Sequence, residues 1–283
     1  VAKVEFRKYE GTANDFLLVD LRDQGRAEDF DPATVARLCD RHRGVGGDGV
    51  LLVLPARGGA GARMVVLNAD GSRPEMCGNG LRCVALHLAR GLAPGELARA
   101  DRNVVVETDA GERTCRIEIG AAGDAHVTVD MGRIHVERTI EVPFRGRSIP
   151  LVAVDAGNPH AVCFAGLEED ELDPLGIELQ RSTWWPKGVN LERVVERARA
   201  RFEVTVFERG VGRTLACGTG ACAVAAAIVA RGAARAGDPL EIVLPGGTLE
   251  IVVDGGGRAS MRGPARAVFD GVVDLPFASF TSR

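Results

Sequence analysis

Two four-residue segments, Cys77-Gly78-Asn79-Gly80 and Cys217-Gly218-Thr219-Gly220, constrain this chain more than any other feature. They lie 217 − 77 = 140 positions apart in 283 residues, and Val84-Ala85 is echoed by Val224-Ala225 at the same offset. Each segment opens a run that reads as an apolar helix, over 78–89 and over 218–231. A helix apolar on nearly all faces has to be buried inside its own domain.

Short strand-like segments surround both runs. In the first half they are 4–6, 16–20, 50–54, 63–68, 104–108, 114–119 and 125–130, with a loop over 10–15. A helix is expected over 31–41, with Asp31 as N-cap and Pro32 at the first helical position. In the second half the strands are 148–155, 190–195, 202–208, 241–244, 248–253 and 258–262, and the acidic stretch 167–179 is partly helical. The length exceeds the usual domain of about 100–150 residues. We therefore expect an α+β fold of two pseudo-symmetric domains, 1–122 around the Cys77 helix and 123–264 around the Cys217 helix. The tail, 265–283, reads as further strand returning to the first domain.

A helix N-terminus carries unpaired N–H groups and partial positive charge, a setting that lowers a thiol's pKa. The glycines after each cysteine let an anionic group approach the backbone. One such site suits a nucleophile or an anion loop. A matched pair suits inversion of a stereocentre beside a carboxylate: a thiolate on one face removes a proton while a thiol on the other returns one. The amides of both helix ends would hold the carboxylate and the charge it gains.

The segments Gly11-Thr12-Ala13-Asn14-Asp15-Phe16, Asn68-Ala69-Asp70-Gly71-Ser72 running into Glu75-Met76-Cys77-Gly78-Asn79-Gly80, and Gly157-Asn158-Pro159-His160 follow one another along the chain. Val189-Asn190, Glu208-Arg209-Gly210-Val211-Gly212 and Leu215-Ala216-Cys217-Gly218-Thr219-Gly220 complete the series. In content and order the chain resembles the diaminopimelate epimerase family. The resemblance implies two mixed domains, each a curled, barrel-like β-sheet around a central helix, and interconversion of LL- and meso-diaminopimelate in lysine and cell-wall precursor biosynthesis. It implies Cys77 and Cys217 as the acid/base thiols, with His160 behind Cys77 and Glu208 behind Cys217. Asn14, Asn68, Asn158, Asn190 and Arg209 would recognise the far end of the substrate, with Glu208 also at the substrate. The amides of Gly78, Asn79, Gly218 and Thr219 would bind the reacting carboxylate. Ala13, Glu10 and Gly49 depart from the glycine, histidine and glutamine common at those positions, which bears on substrate positioning.

Other chemistries find less support. Cys39, Cys83, Cys115, Cys163 and Cys222 read as small buried hydrophobes. The spacings Cys77–Cys83 and Cys217–Cys222 are not those of structural zinc pairs, so no metal is expected. Gly44-Val45-Gly46-Gly47-Asp48-Gly49 fits a dinucleotide fingerprint but follows a helix and precedes a strand, the reverse of the required order. The run from Gly218 to Ala223 has the right order, yet the duplication explains it more simply. The only lysines are Lys3, Lys8 and Lys187, none in a motif, which argues against a pyridoxal-phosphate Schiff base. No cofactor is expected.

Net charge is −4 with no basic stripe, so nucleic acid is not an expected partner. No run of about 18 apolar residues predicts a membrane span. Seven cysteines, an odd number, and an opening segment that reads as strand rather than leader make the cytoplasm the expected location. The expected partner is a small amino acid; a homodimer is carried as an expectation that no motif specifies. Two alternatives remain: proline or hydroxyproline racemisation, against which Asn79 speaks because histidine is usual there, and non-catalytic amino-acid binding, which needs no thiols. Trp184-Trp185-Pro186 reads equally well as a lid or as a packing patch.

Overall fold

The computed structural model describes residues 2–23, 27–91, 102–120 and 125–275. The chain forms two compact units, Val1–Val129 with Pro264–Arg283, and Asp130–Gly263. The boundary expected at 122/123 lies outside the described residues, as does the end of the tail from 276 onward.

In the first unit β1 (Ala2–Gly11), β2 (Asn14–Asp20), β3 (Gly49–Leu54), β4 (Ala62–Asn68), β5 (Arg102–Thr108), β6 (Gly111–Ile119) and β7 (Ala125–Arg133) neighbour one another in that order. The last strand, β16 (Arg258–Leu275), neighbours β7 and pairs antiparallel with β1 from Glu10↔Arg266 to Ala2↔Leu275, so the eight strands close into a barrel. A barrel must be filled. Here α2 (Gly78–Arg90) fills it, buried from Gly78 to Ala89 and packed against β1 to β6. Outside, α1 (Pro32–Cys39) covers β3 and β4 through Val35, Leu38 and Cys39; the Asp31 side chain caps it, accepting from the Thr34 N–H at 2.7 Å.

Two details of this unit depart from the sequence reading. The loop expected over 10–15 is a two-residue turn, because β1 and β2 pair up to Gly11↔Asn14. Thr12 and Ala13 form it with φ of 60° and 56°, the left-handed conformation that tight hairpins require. Helix α2 also carries two buried polar side chains. Arg82 Nη2 donates to Thr12 Oγ1 at 2.6 Å and its Nε to the Pro264 carbonyl at 3.0 Å. His87 Nε2 lies 2.9 Å from Asp20 Oδ2.

The second unit runs β8 (His135–Phe144), β9 (Arg147–Asp155), β10 (Pro159–Cys163), β11 (Asn190–Ala198), β12 (Arg201–Glu208), β14 (Pro239–Leu244), β15 (Gly247–Val253) and the first part of β16. The short β13 (Gly212–Thr214) folds back on β12. Helix α3 (Leu172–Leu179) packs on β11, β12 and β13. Helix α4 (Gly218–Ala230), built almost wholly of Ala, Gly, Val, Ile and Cys, is buried against β8 to β11, β14 and β15. Trp185 is packed into the core of this unit with Leu172, Leu175 and Leu179, whereas Trp184 is half exposed.

Sequence patterning did not reveal β8, β10 and β13. Strand β8 is exposed over most of its first half and its register shifts between Val136 and Thr139, so alternation is legible only from Ile140 onward. Strand β16 is one element of 18 residues, although 258–262 and 265–280 read as two. Pro264 does not break it: pairing with β15 ends at Arg262 and pairing with β1 starts at Arg266, so the missing N–H falls at the handover.

Candidate active site

Both marked cysteines are N-caps. Cys77 has φ −136°, ψ 114° and Cys217 has φ −125°, ψ 111°, the extended conformation that precedes a helix. In each, the backbone N–H three residues on donates to the thiol sulfur, Gly80 N to Cys77 Sγ and Gly220 N to Cys217 Sγ, both at 3.4 Å. Ser, Thr, Asp and Asn are the side chains favoured at this position. A sulfur accepts a hydrogen bond weakly, so stability gives little reason for cysteine at both caps, whereas acid–base chemistry gives a strong one. A Cβ at Gly80 would sit 2.8 Å from Leu51 Cδ2, and one at Gly220 would sit 2.8 Å from Glu192 Oε1 and 3.3 Å from Cys217 Sγ.

The Cys77 half-site gathers three of the expected asparagines. Asn79, buried, donates from Nδ2 to Asn14 Oδ1 at 3.2 Å, and Asn14 Nδ2 donates to Asp48 Oδ2 at 2.8 Å. Arg41 bridges Asp15 at 2.6 Å and Asp48 at 2.8 Å, and Lys8 Nζ lies 2.5 Å from Asp15. The Asp15 carboxyl, its burial outweighed by hydrogen bonds from Arg41 and Lys8, is held down to about 2. The glycine-rich stretch 44–49 therefore orients Asn14 through Asp48. Asn68 ends β4 and donates to Ser72 Oγ at 2.9 Å.

The Cys217 half-site is richer in ionisable groups. Thr219 Oγ1 lies 3.5 Å from Cys217 Sγ, and the Glu208 carboxyl is within hydrogen-bonding reach of the thiol. Thr214 Oγ1 donates to Glu208 Oε1 at 2.5 Å. His160, on β10, lies fully buried with Nδ1 2.6 Å from Glu192 Oε1 and Nε2 2.9 Å from Asn158 Oδ1. Asn190 is buried too: its Nδ2 donates to the Pro159 carbonyl at 3.0 Å, and its Oδ1 accepts the Arg209 N–H at 2.9 Å. It thus ties the His160 strand to the end of the Glu208 strand.

The electrostatics of Cys217 overturn one expectation. Its pKa lies well above that of an ordinary thiol, first because the group is buried, then because Glu208 and Glu192 stand nearby. The helix-end amide and Thr219 pull the other way and lose. Glu208 is also pushed up, mainly by burial and further by Glu192, against the lowering effect of Thr214. This half-site holds its proton, the form needed to donate one.

Sequence reasoning missed two residues. Glu192 has no exposed surface, and a glutamate inside a strand reads as outward-facing. The alternation Asn190–Leu191–Glu192, with Asn190 already singled out, was the available signal. Asp48 stood in a glycine motif weighed only for nucleotide binding. The five cysteines expected in the core are buried, all seven are thiols, and among the described residues no cluster of three or more metal-ligating side chains occurs.

A barrel around one helix, a curled sheet around another, and a thiol at the N-cap of each define an α+β protein with paired acid–base half-sites. The chain belongs to the diaminopimelate epimerase family, whose model matches residues 6–136 and 152–268. A diaminopimelate epimerase of Desulforudis audaxviator is 44% identical over 95% of this chain and 98% of its own. One from Acaryochloris marina is 38% identical over 96% and 99%. The fold is shared with a hydroxyproline epimerase from Agrobacterium vitis, TM-score 0.73 at 18% identity over 98% of this chain and 94% of that one. It is shared too with a predicted epimerase of Pseudomonas aeruginosa, TM-score 0.74 at 15% identity over 95% and 99%.

Proposed function

We propose that this protein is an isomerase that interconverts LL- and meso-diaminopimelate, in lysine and cell-wall precursor biosynthesis, without cofactor or metal. The observation that carries the reading is the pair of thiols capping two equivalent helices in a chain of this family. In the proposed reaction Cys77 and Cys217 serve the two faces of the substrate α-carbon, one removing a proton as thiolate and the other returning one as thiol. The amides of Gly78, Asn79, Gly218 and Thr219 receive the carboxylate, whose charge grows as the carbon acid ionises.

Within this reading Glu208 takes the thiol proton of Cys217 when that group acts as base, and its raised pKa suits the exchange. His160 would do the same for Cys77. Asn14, Asn68, Asn158, Asn190 and Arg209 would select the distal amino-acid end. Seven thiols favour a reducing compartment, hence a cytoplasmic location, and a homodimer belongs to the same reading. No described helix is long and apolar enough to cross a membrane.

The test is incubation with LL-diaminopimelate in heavy water. The meso form should appear with deuterium at one α-carbon and no added cofactor. Exchange with proline or hydroxyproline in place of diaminopimelate would overturn the substrate and favour the racemase alternative.

A further inference from the structure

Glu192 is a carboxylate with no exposed surface, and nothing in the epimerisation scheme above uses it. It lies on β11 two residues beyond Asn190, and His160 on β10 is in register with Asn190 in a parallel pair. Side chains two apart share a face of a strand, which brings Glu192 to the same side as His160. Its Oε1 meets His160 Nδ1 at 2.6 Å, and its Oε2 has no hydrogen-bond partner among the described residues. The same Oε1 lies where a Cβ on Gly220 would come within 2.8 Å. Glu192 therefore fills the space between the imidazole and the glycine turn that carries Cys217.

A buried carboxylate with one oxygen unmatched costs several kcal/mol of desolvation that a single neighbour does not fully offset. Packing does not explain it. Orientation does: a carboxylate can only accept, so it selects the ring tautomer and rotation in which Nδ1 carries the proton. That leaves Nε2, beside Asn158, as the nitrogen available for exchange.

We propose that Glu192 is a positioning residue of the reaction, which fixes His160 through Nδ1 and braces the helix end that presents Cys217. The proposal rests on the functional reading above and extends it to a residue that touches no reacting atom. The groups around Cys217 are Glu208 from β12, Thr214 from β13, Thr219 from α4, His160 from β10 and Glu192 from β11. Glu192 and Glu208 both disfavour the thiolate, and Glu192 also disfavours ionisation of Glu208.

The test is Glu192→Gln, which keeps the volume and removes the charge. We expect kcat to fall about tenfold to a hundredfold, the loss typical when a group orienting an active-site imidazole is removed, with KM for diaminopimelate nearly unchanged. The limb of the kcat–pH profile governed by Glu208 and Cys217 should move to lower pH, because the neighbouring negative charge is gone. Nitrogen-15 NMR of the wild-type His160 ring should show Nδ1 protonated, a readout that holds even if the variant does not fold. A variant with wild-type kcat and pH profile, or a wild-type ring with Nδ1 unprotonated, overturns the proposal. Wild-type protein inert toward diaminopimelate would sink the functional reading instead, and the ring tautomer would still decide this one.

Discussion

Ala13 sits at φ 56° beside Thr12 at 60°, and a non-glycine residue in that region carries about 1–2 kcal/mol of strain. Thr12 is held there by Arg82, whose Nη2 donates to its hydroxyl. Ala13 has no comparable side-chain anchor; its N–H donates to Glu10 Oε2 at 3.2 Å. Ala13→Gly should therefore raise stability by about 1 kcal/mol, relief of strain exceeding the gain in unfolded-state entropy. Urea unfolding would show it as a higher midpoint with the same slope; an unchanged or lower midpoint would mean that the turn is not strained. The need for a tight turn was not legible in the sequence, since neither residue is glycine. The Cys217 helix end was legible, and the sign of its pKa shift was not. That sign depends on Glu192 and Glu208, which lie on strands whose folding beside the cap no local pattern encodes.

Among the elements, the two capped helices are near copies, yet their surroundings differ. A methyl at Gly80 meets the end of Leu51, an apolar side chain free of hydrogen bonds that can shift by a few tenths of an ångström. A methyl at Gly220 meets Glu192, pinned to His160, and the Cys217 sulfur itself. Gly220→Ala should thus cost at least tenfold more activity than Gly80→Ala, while circular dichroism shows both folded. Equal losses would show that Glu192 does not buttress the cap. On the other half-site, Asp48→Ala removes the acceptor that orients Asn14, so KM should rise several-fold with kcat less affected; an unchanged KM would free Asn14 from any role at the substrate. The helices were legible because Gly, Asn or Thr, and Gly follow each cap and apolar residues fill every face. Strands β8 and β10 were hidden by a register shift and by the short span after Pro159.

Across the whole molecule, buried thiols set the alkaline limit of stability. Burial pushes Cys39 up to about 11 and Cys115 up to about 12, and raises Cys83, Cys163 and Cys217 as well. An unfolded cysteine ionises near pH 8.5, so above that pH the unfolded chain sheds protons that the folded chain keeps. Stability is then full below about pH 8.5 and declines as pH rises toward the folded values. Asp15 acts with the opposite sign: held down to about 2, it contributes above about pH 4 and is lost as pH falls toward 2. The melting temperature should fall steadily from pH 8.5 to 10.5; a flat profile there would mean that the thiols are hydrated. The repeat was legible from 140-residue self-similarity, whereas closure of the first barrel by the last strand joins residues 2–10 to 266–275 and leaves no local trace.

The central claim is that each half supplies one acid/base thiol and that neither suffices. Its most direct test is conversion of LL- to meso-diaminopimelate by Cys77→Ala and Cys217→Ala, each compared with wild type at equal folded concentration. Both variants should lose epimerisation while keeping the wild-type fold; full activity in either one would contradict the two-thiol account.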